Sequence, residues 1–198
     1  MHMSVRVVAI AGMPGSGKGE VAAVLAARGI PILSMGDMVR EEVRRRGLAE
    51  APHVFGEVAA DLRASHGEEV LAVRLCDAVD QALEAAPLVI IEGMRGTAEH
   101  AIFSARWNDR FGSLGVLAGA ELRFQRILRR GRSEDGDRAA FEVRDARERG
   151  WGLEALLDTA TWTLENEGDL DHLTELTARW AASRLEDLGP SPQGRTDA

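Results

Sequence analysis

The chain has 198 residues, of which 45% are hydrophobic and 28% charged, with a formal net charge of −8. That size and composition suit one α/β domain with room for a small insertion. The acidic balance excludes a surface built to coat nucleic acid, confining any polyanion binding to a local pocket. A single cysteine, Cys76, excludes an intramolecular disulfide and a cysteine-built structural zinc site.

The opening segment MHMSVRVVAIAG lacks the long apolar run and cleavage site of a signal peptide, and no later stretch is long enough to span a bilayer. A cytoplasmic protein without membrane partners is the expectation. Val5–Ala11 is short, apolar and rich in β-branched residues, which predicts a buried strand. A glycine-rich turn follows. Gly17–Arg28 then reads as a helix, with Val21, Val24 and Leu25 on one face and Gly29 as its stop. Pro31–Leu33 predicts a second strand, and Asp37–Arg46 a helix with a charged outer face that ends at Gly47. Pro52 can open the next helix. Val54–Ala64 and Glu68–Ala85 continue helically. Pro87–Ile91 is the clearest strand after the first. Thr97–Arg106 (helix), Ser113–Leu117 (strand) and Glu121–Arg130 (helix) follow. Gly131–Arg138 is a polar loop, Ala139–Arg149 a charged helix, Thr161–Leu164 a last strand and Asp169–Leu185 a closing helix. Residues 189–198 read as a disordered tail.

Strands alternating with helices imply one α/β domain over residues 1–188, a parallel sheet with helices on both faces. Ligands in such sheets bind at the carboxyl ends of the strands. The candidate chemistry falls there. Gly12, Pro14, Gly15, Ser16, Gly17 and Lys18 lie in the pattern G-x-x-x-x-G-K, between a predicted strand and a predicted helix, which is the context of a phosphate-binding loop. Glycines let successive N–H groups converge on phosphate oxygens, and the helix N-terminus adds partial positive charge. Lys18 is the sole lysine; the other 23 basic residues are arginine. An ammonium on a flexible stem reaches β- and γ-phosphates where a guanidinium does not fit.

The segment GMPGSGKG resembles the loop of adenylate kinases, which also carries glycine after the lysine, here Gly19. That family then has threonine where this chain has Glu20. SMGDMVR resembles the adenylate kinase segment in which Gly36, Asp37 and Arg40 would face the acceptor phosphate; Met35 stands in place of a threonine. Glu92-Gly93-Met94-Arg95 follows the strand PLVII, one residue shorter than the family's version. Glu92 would hold a magnesium-bound water and Arg95 would clamp the acceptor. Arg126 and Arg130 match arginines that line the phosphates, and a helical lid is expected at about residues 131–149. Arg138, Arg144, Arg147 and Arg149 read as a solvated face laced with Glu142, Asp145 and Glu148, with Asp145 and Arg147 as candidate lid contacts. Asn166 and Gly168 lie in a segment similar to the base-binding turn of dephospho-coenzyme A kinases; the same turn also reads as a helix entry capped by Asp169. The five histidines show no metal spacing.

The resemblance covers most of residues 5–175 and is strongest to archaeal nucleotide-kinase-like proteins related to both families. It implies a P-loop NTPase fold with a five-stranded parallel sheet, acceptor-binding helices over about 36–86, ATP and Mg2+ as cofactors, and transfer of a phosphoryl group to a small phosphorylated nucleotide acceptor. Lys18, Arg126, Arg130 and Asp37 would be the catalytic residues. Two alternatives remain open. A dephospho-coenzyme A kinase needs a carboxylate base, but Ser34-Met35-Gly36 occupies its usual place. A nucleotide-binding regulator or slow ATPase is favoured by Met35 and Glu20. Monomer and homodimer are equally compatible with the sequence.

Overall fold

Strand β1 (Val7–Ala11) lies at the centre of the sheet, and all five of its residues are fully buried. Side chains alternate across a strand, so a strand covered on both faces must be apolar at every position. Val7, Ala9 and Ala11 pack on one side with Leu75 and Val79 of α4 (Val70–Ala85) and Phe103 of α5 (Thr97–Trp107). Val8 and Ile10 pack on the other with Val21 and Leu25 of α1 (Lys18–Ala26) and Trp180 of α9 (Leu170–Leu188). This computed structural model describes residues 4–67, 69–131 and 137–189.

The remaining strands are β2 (Ile32–Ser34), β3 (Val89–Glu92), β4 (Phe111–Leu117) and β5 (Trp162–Glu165). The sheet order is β2-β3-β1-β4-β5, and every pair is parallel. The chain runs outward from β1 to β2, returns to β3, and then crosses to β4 and β5. The connections therefore diverge on either side of β1, which opens a crevice at its carboxyl end. The five-stranded parallel sheet with helices on both faces is the one expected.

Among the differences from the sequence reading, two boundaries and one added helix have a clear physical reason. Helix α2 (Met35–Arg45) starts two residues early because Ser34 caps it. Asp37 N–H donates to Ser34 Oγ at 3.3 Å, and Ser34 N–H donates to Asp37 Oδ2 at 2.7 Å. This reciprocal pair satisfies two otherwise orphaned donors. Strand β4 begins at Phe111 rather than Ser113, since Phe111 and Gly112 pair with Val7 and Val8. A short helix, α8 (Leu153–Asp158), was not expected; Leu153 and Leu156 close the cluster around Phe103 and Trp107.

Helix α3 (Pro52–His66) packs with α2 and α4 around Val39, Val43, Val58 and Leu62. Buried Glu42 on α2 accepts from Arg45, Arg46 and Arg74 at 2.6–3.1 Å. Three guanidinium partners hold its carboxyl well below the usual carboxylate range, the Arg45 hydrogen bond first. Helices α6 (Ala120–Arg130) and α7 (Arg138–Gly150) meet through Phe124, Ile127 and Phe141. The predicted loop tip at 132–136, with Arg132, and the predicted tail at 190–198 lie outside the described residues. No helix among the described residues is long and apolar enough to cross a membrane.

Candidate active site

The loop Gly12–Lys18 joins β1 to α1 at the crevice. Gly17 has φ +101°, and a Cβ there would lie 2.4 Å from Asn166 Nδ2. Only glycine fits both constraints. Asn166 Nδ2 donates to Ser16 O at 2.7 Å, so the residue just past the carboxyl end of β5 holds the loop. Ser16 Oγ is buried and has no hydrogen-bond partner within the protein. A buried hydroxyl without a partner is costly unless a ligand satisfies it. A phosphate oxygen suits that donor, and the converging loop amides fit the same ligand.

Lys18 Nζ donates to Gly12 O and, at 3.3 Å, to Met13 O. Burial lowers its pKa from 10.5 to about 8. Glu148 and Glu92 push the value back up, whereas Arg95 and Arg144 push it further down. These four side chains come from α7 and from the end of β3, so the structure gathers them around the lysine.

Two openings lie on the surface of this region, the first of them bordered by the loop. One, of about 420 Å³, is lined by Gly17, Glu20, Arg126, Arg129, Asn166 and Gly168. Arg126 spans it, donating to Asn166 Oδ1 at 3.0 Å and Gly168 O at 2.9 Å, with its Nη1 buried and unpartnered. Burial lowers the Arg126 pKa. Asp169 accepts from His172 N–H at 2.9 Å and caps α9, as the capped-turn reading of this segment held. Glu20 lies exposed in the first turn of α1, where the helix dipole favours a carboxylate. Gly19 beside it faces open space. Arg130 is exposed in the last turn of α6.

The second opening is larger, about 1280 Å³, and Ser34, Gly36, Arg40, Arg63, Glu92 and Arg95 are among its lining residues. Asp37 has a double engagement. Its Oδ2 belongs to the α2 cap, and its Oδ1 accepts from Arg40 at 2.5 Å. Asp37 therefore orients Arg40, and its carboxyl is held below the ordinary value by that guanidinium and by Ser34, against its own burial. Arg95 lies 3.5 Å from Glu148 of α7. Among the described residues no group of three or more His, Cys, Asp or Glu side chains could by itself hold a metal ion. A magnesium ion at Glu92 would thus draw its remaining ligands from water and phosphate.

The charged helix α7 corrects the sequence reading. It is not a solvated face throughout: Asp145 and Glu148 are 3% and 5% exposed and point inward. Asp145 accepts two hydrogen bonds from Arg123, at 2.8 and 2.6 Å. Arg123 itself was missed. The available signal was its register, four residues before buried Ile127 on the inner face of α6.

The AAA domain family matches residues 11–143. A UPF0200 protein of Halobacterium salinarum is 40% identical over 166 residues, covering 84% of this chain and 87% of that one. One from Methanosarcina barkeri is 36% identical over 167 residues, covering 84% and 89%. Among solved structures, TT1252 from Thermus thermophilus aligns with TM-score 0.60 at 29% identity, covering 92% of this chain and 99% of that one. A shikimate kinase from Acinetobacter baumannii shares the fold, with TM-score 0.55 at 16% identity over 92% and 94%. With the loop, the sheet order and these relatives in agreement, the chain belongs to the UPF0200 family and has the fold of a P-loop kinase.

Proposed function

We propose that this protein transfers the γ-phosphoryl group of ATP to a small phosphorylated acceptor, a nucleoside monophosphate. The observation that carries the reading is a pair of openings, one lined by Gly17 of the phosphate loop and the other by Glu92 and Arg95, which act electrostatically on Lys18. The Arg126–Asn166 wall belongs to the first, and Arg40, Arg63 and Arg95 line the second. Planar guanidinium groups suit a phosphate on the acceptor. Loop amides, Ser16 Oγ and Lys18 fit the donor's β- and γ-phosphates.

Phosphoryl transfer asks the protein for positioning and charge neutralisation rather than covalent chemistry. Arg40, oriented by Asp37, and Arg95 would hold the acceptor in line. Lys18, Arg126 and Arg130 would offset charge on the transferred group. Bound magnesium would neutralise phosphate charge, held through water by Glu92. A hydroxyl acceptor, as in dephospho-coenzyme A, is less well supported, because Asp37 is committed to the α2 cap and Arg40 and so makes a poor base.

The test is a panel of acceptors incubated with magnesium-ATP, comprising each nucleoside monophosphate and, separately, dephospho-coenzyme A. The reading expects one monophosphate to yield a diphosphate, and Lys18→Ala to yield none. ADP release that ignores every acceptor would replace it with a nucleotide-driven regulator.

A further inference from the structure

Arg123 is 3% exposed, although arginine is among the residues least often buried. Its guanidinium nitrogens bond three separate parts of the chain. Nη1 donates to Pro14 O, at the crown of the phosphate loop, at 3.0 Å and to Asp145 Oδ1 at 2.8 Å. Nη2 donates to Asp145 Oδ2 at 2.6 Å, and Nε to Ala118 O, just past β4, at 3.1 Å. The Phe141 ring of α7 lies 5.2 Å from the guanidinium carbon. Its backbone also matters: a Cβ on Gly15 would lie 2.7 Å from Arg123 O, so α6 rests directly against the loop.

Asp145 sits between Arg144 and Glu148 on α7, and both of those act electrostatically on Lys18. We propose that Arg123 and Asp145 are a positioning pair that joins the crown of the phosphate loop to helix α7, so that the loop and the charged groups of α7 keep one register around Lys18. Neither residue touches the reacting atoms in this assignment. The pair acts on Pro14 from one end and on α7 from the other. Its consequence for nucleotide binding rests on the function proposed above, whereas its mechanical consequence does not.

The difficulty in testing a buried ion pair is that removing one partner strands the other charge and can unfold the chain. Replacing both partners with apolar residues of similar size avoids this. The test is therefore Arg123→Met combined with Asp145→Leu in the full chain, with Asp145→Asn alongside. Thermal unfolding reports whether the fold survives. Peptide-resolved hydrogen exchange then reports on residues 12–18 and on α7. The proposal expects the double variant to keep a melting temperature near that of the parent, while both segments exchange at least about tenfold faster and α3, which packs with α2 and α4, does not change. Unchanged exchange in either segment would overturn it. A uniform rise that includes α3 would also overturn it, since that is the signature of a merely structural pair. Magnesium-ATP affinity, read by calorimetry on the same proteins, adds a separate arm. Parent protein that binds no ATP refutes the proposed function and leaves the exchange result to judge the pair. Parent binding with an equal constant in the double variant refutes the pair's role at the site.

Discussion

Replacing Lys18 with methionine is expected to stabilise the protein without ligand while destroying nucleotide binding. The ammonium is held in a buried position where its pKa falls from 10.5 to about 8. A base with a lowered folded pKa is charged in both states below pH 8, and there the native state bears the full cost of burying the charge. Between pH 8 and 10.5 the unfolded chain binds more protons than the native chain, so that cost is relieved as pH rises. Each pKa unit is worth about 1.4 kcal/mol, which makes the penalty at pH 7 roughly 3 kcal/mol. Loss of the Lys18 bonds to Gly12 O and Met13 O gives back about 1 kcal/mol, leaving a net gain of about 2 kcal/mol for Lys18→Met. The chain is well suited to the measurement: it has one lysine, one cysteine and no tyrosine, so few groups titrate in this range. Burial of Cys76 pushes its thiol up to about 11, which lowers stability over part of the same window, but that contribution cancels between parent and variant. Urea unfolding of both proteins at pH 7 and at pH 10 should show the variant ahead at pH 7 and its lead mostly gone at pH 10. A parent more stable than the variant at pH 7, or a difference that does not change with pH, would refute the reasoning.

Other substitutions separate the roles assigned to the site. Gly17→Ala should abolish magnesium-ATP binding by calorimetry, since the new Cβ meets Asn166 Nδ2 at 2.4 Å with φ at +101°. Asn166→Ala removes the bonds to Ser16 O and Arg126, and should lower unfolding free energy by about 1–3 kcal/mol in denaturant titrations and weaken ATP binding. Arg40→Ala and Arg95→Ala should each raise the acceptor KM by about tenfold to a hundredfold in steady-state assays and leave ATP affinity within about twofold, because both face the second cavity. Ser34→Ala removes the α2 cap and should cost about 1 kcal/mol by chemical denaturation.

The elements that lie closest to the chemistry were the easiest to read from the chain. β1 is an uninterrupted apolar run, β3 is one up to Glu92, and the loop between β1 and α1 contains glycines at positive φ that other residues rarely adopt. The order of local signals around Lys18 therefore specified the fold class and pointed to the candidate site. What stayed hidden depends on partners far away in sequence. Arg123 and Asp145 are 22 residues apart and look like surface charges on two polar helices until α6 and α7 pack together. Glu148 and Arg144 face inward for the same reason. The early start of α2 was legible in principle, since Ser34 and Asp37 have capping-box spacing. The six-residue helix α8 was not, because its apolar demand is three closely spaced leucines packing against the cluster of Phe103 and Trp107.

The most direct test follows the phosphorus atoms themselves. Phosphorus NMR of magnesium-ATP with a nucleoside monophosphate and the full chain distinguishes transfer from hydrolysis as the reaction proceeds. The account predicts that the γ-phosphate signal of ATP is replaced by the terminal signals of two nucleoside diphosphates, with little inorganic phosphate, and that Lys18→Met leaves the spectrum unchanged. Growth of inorganic phosphate alone, at the same rate with or without any monophosphate, would contradict it.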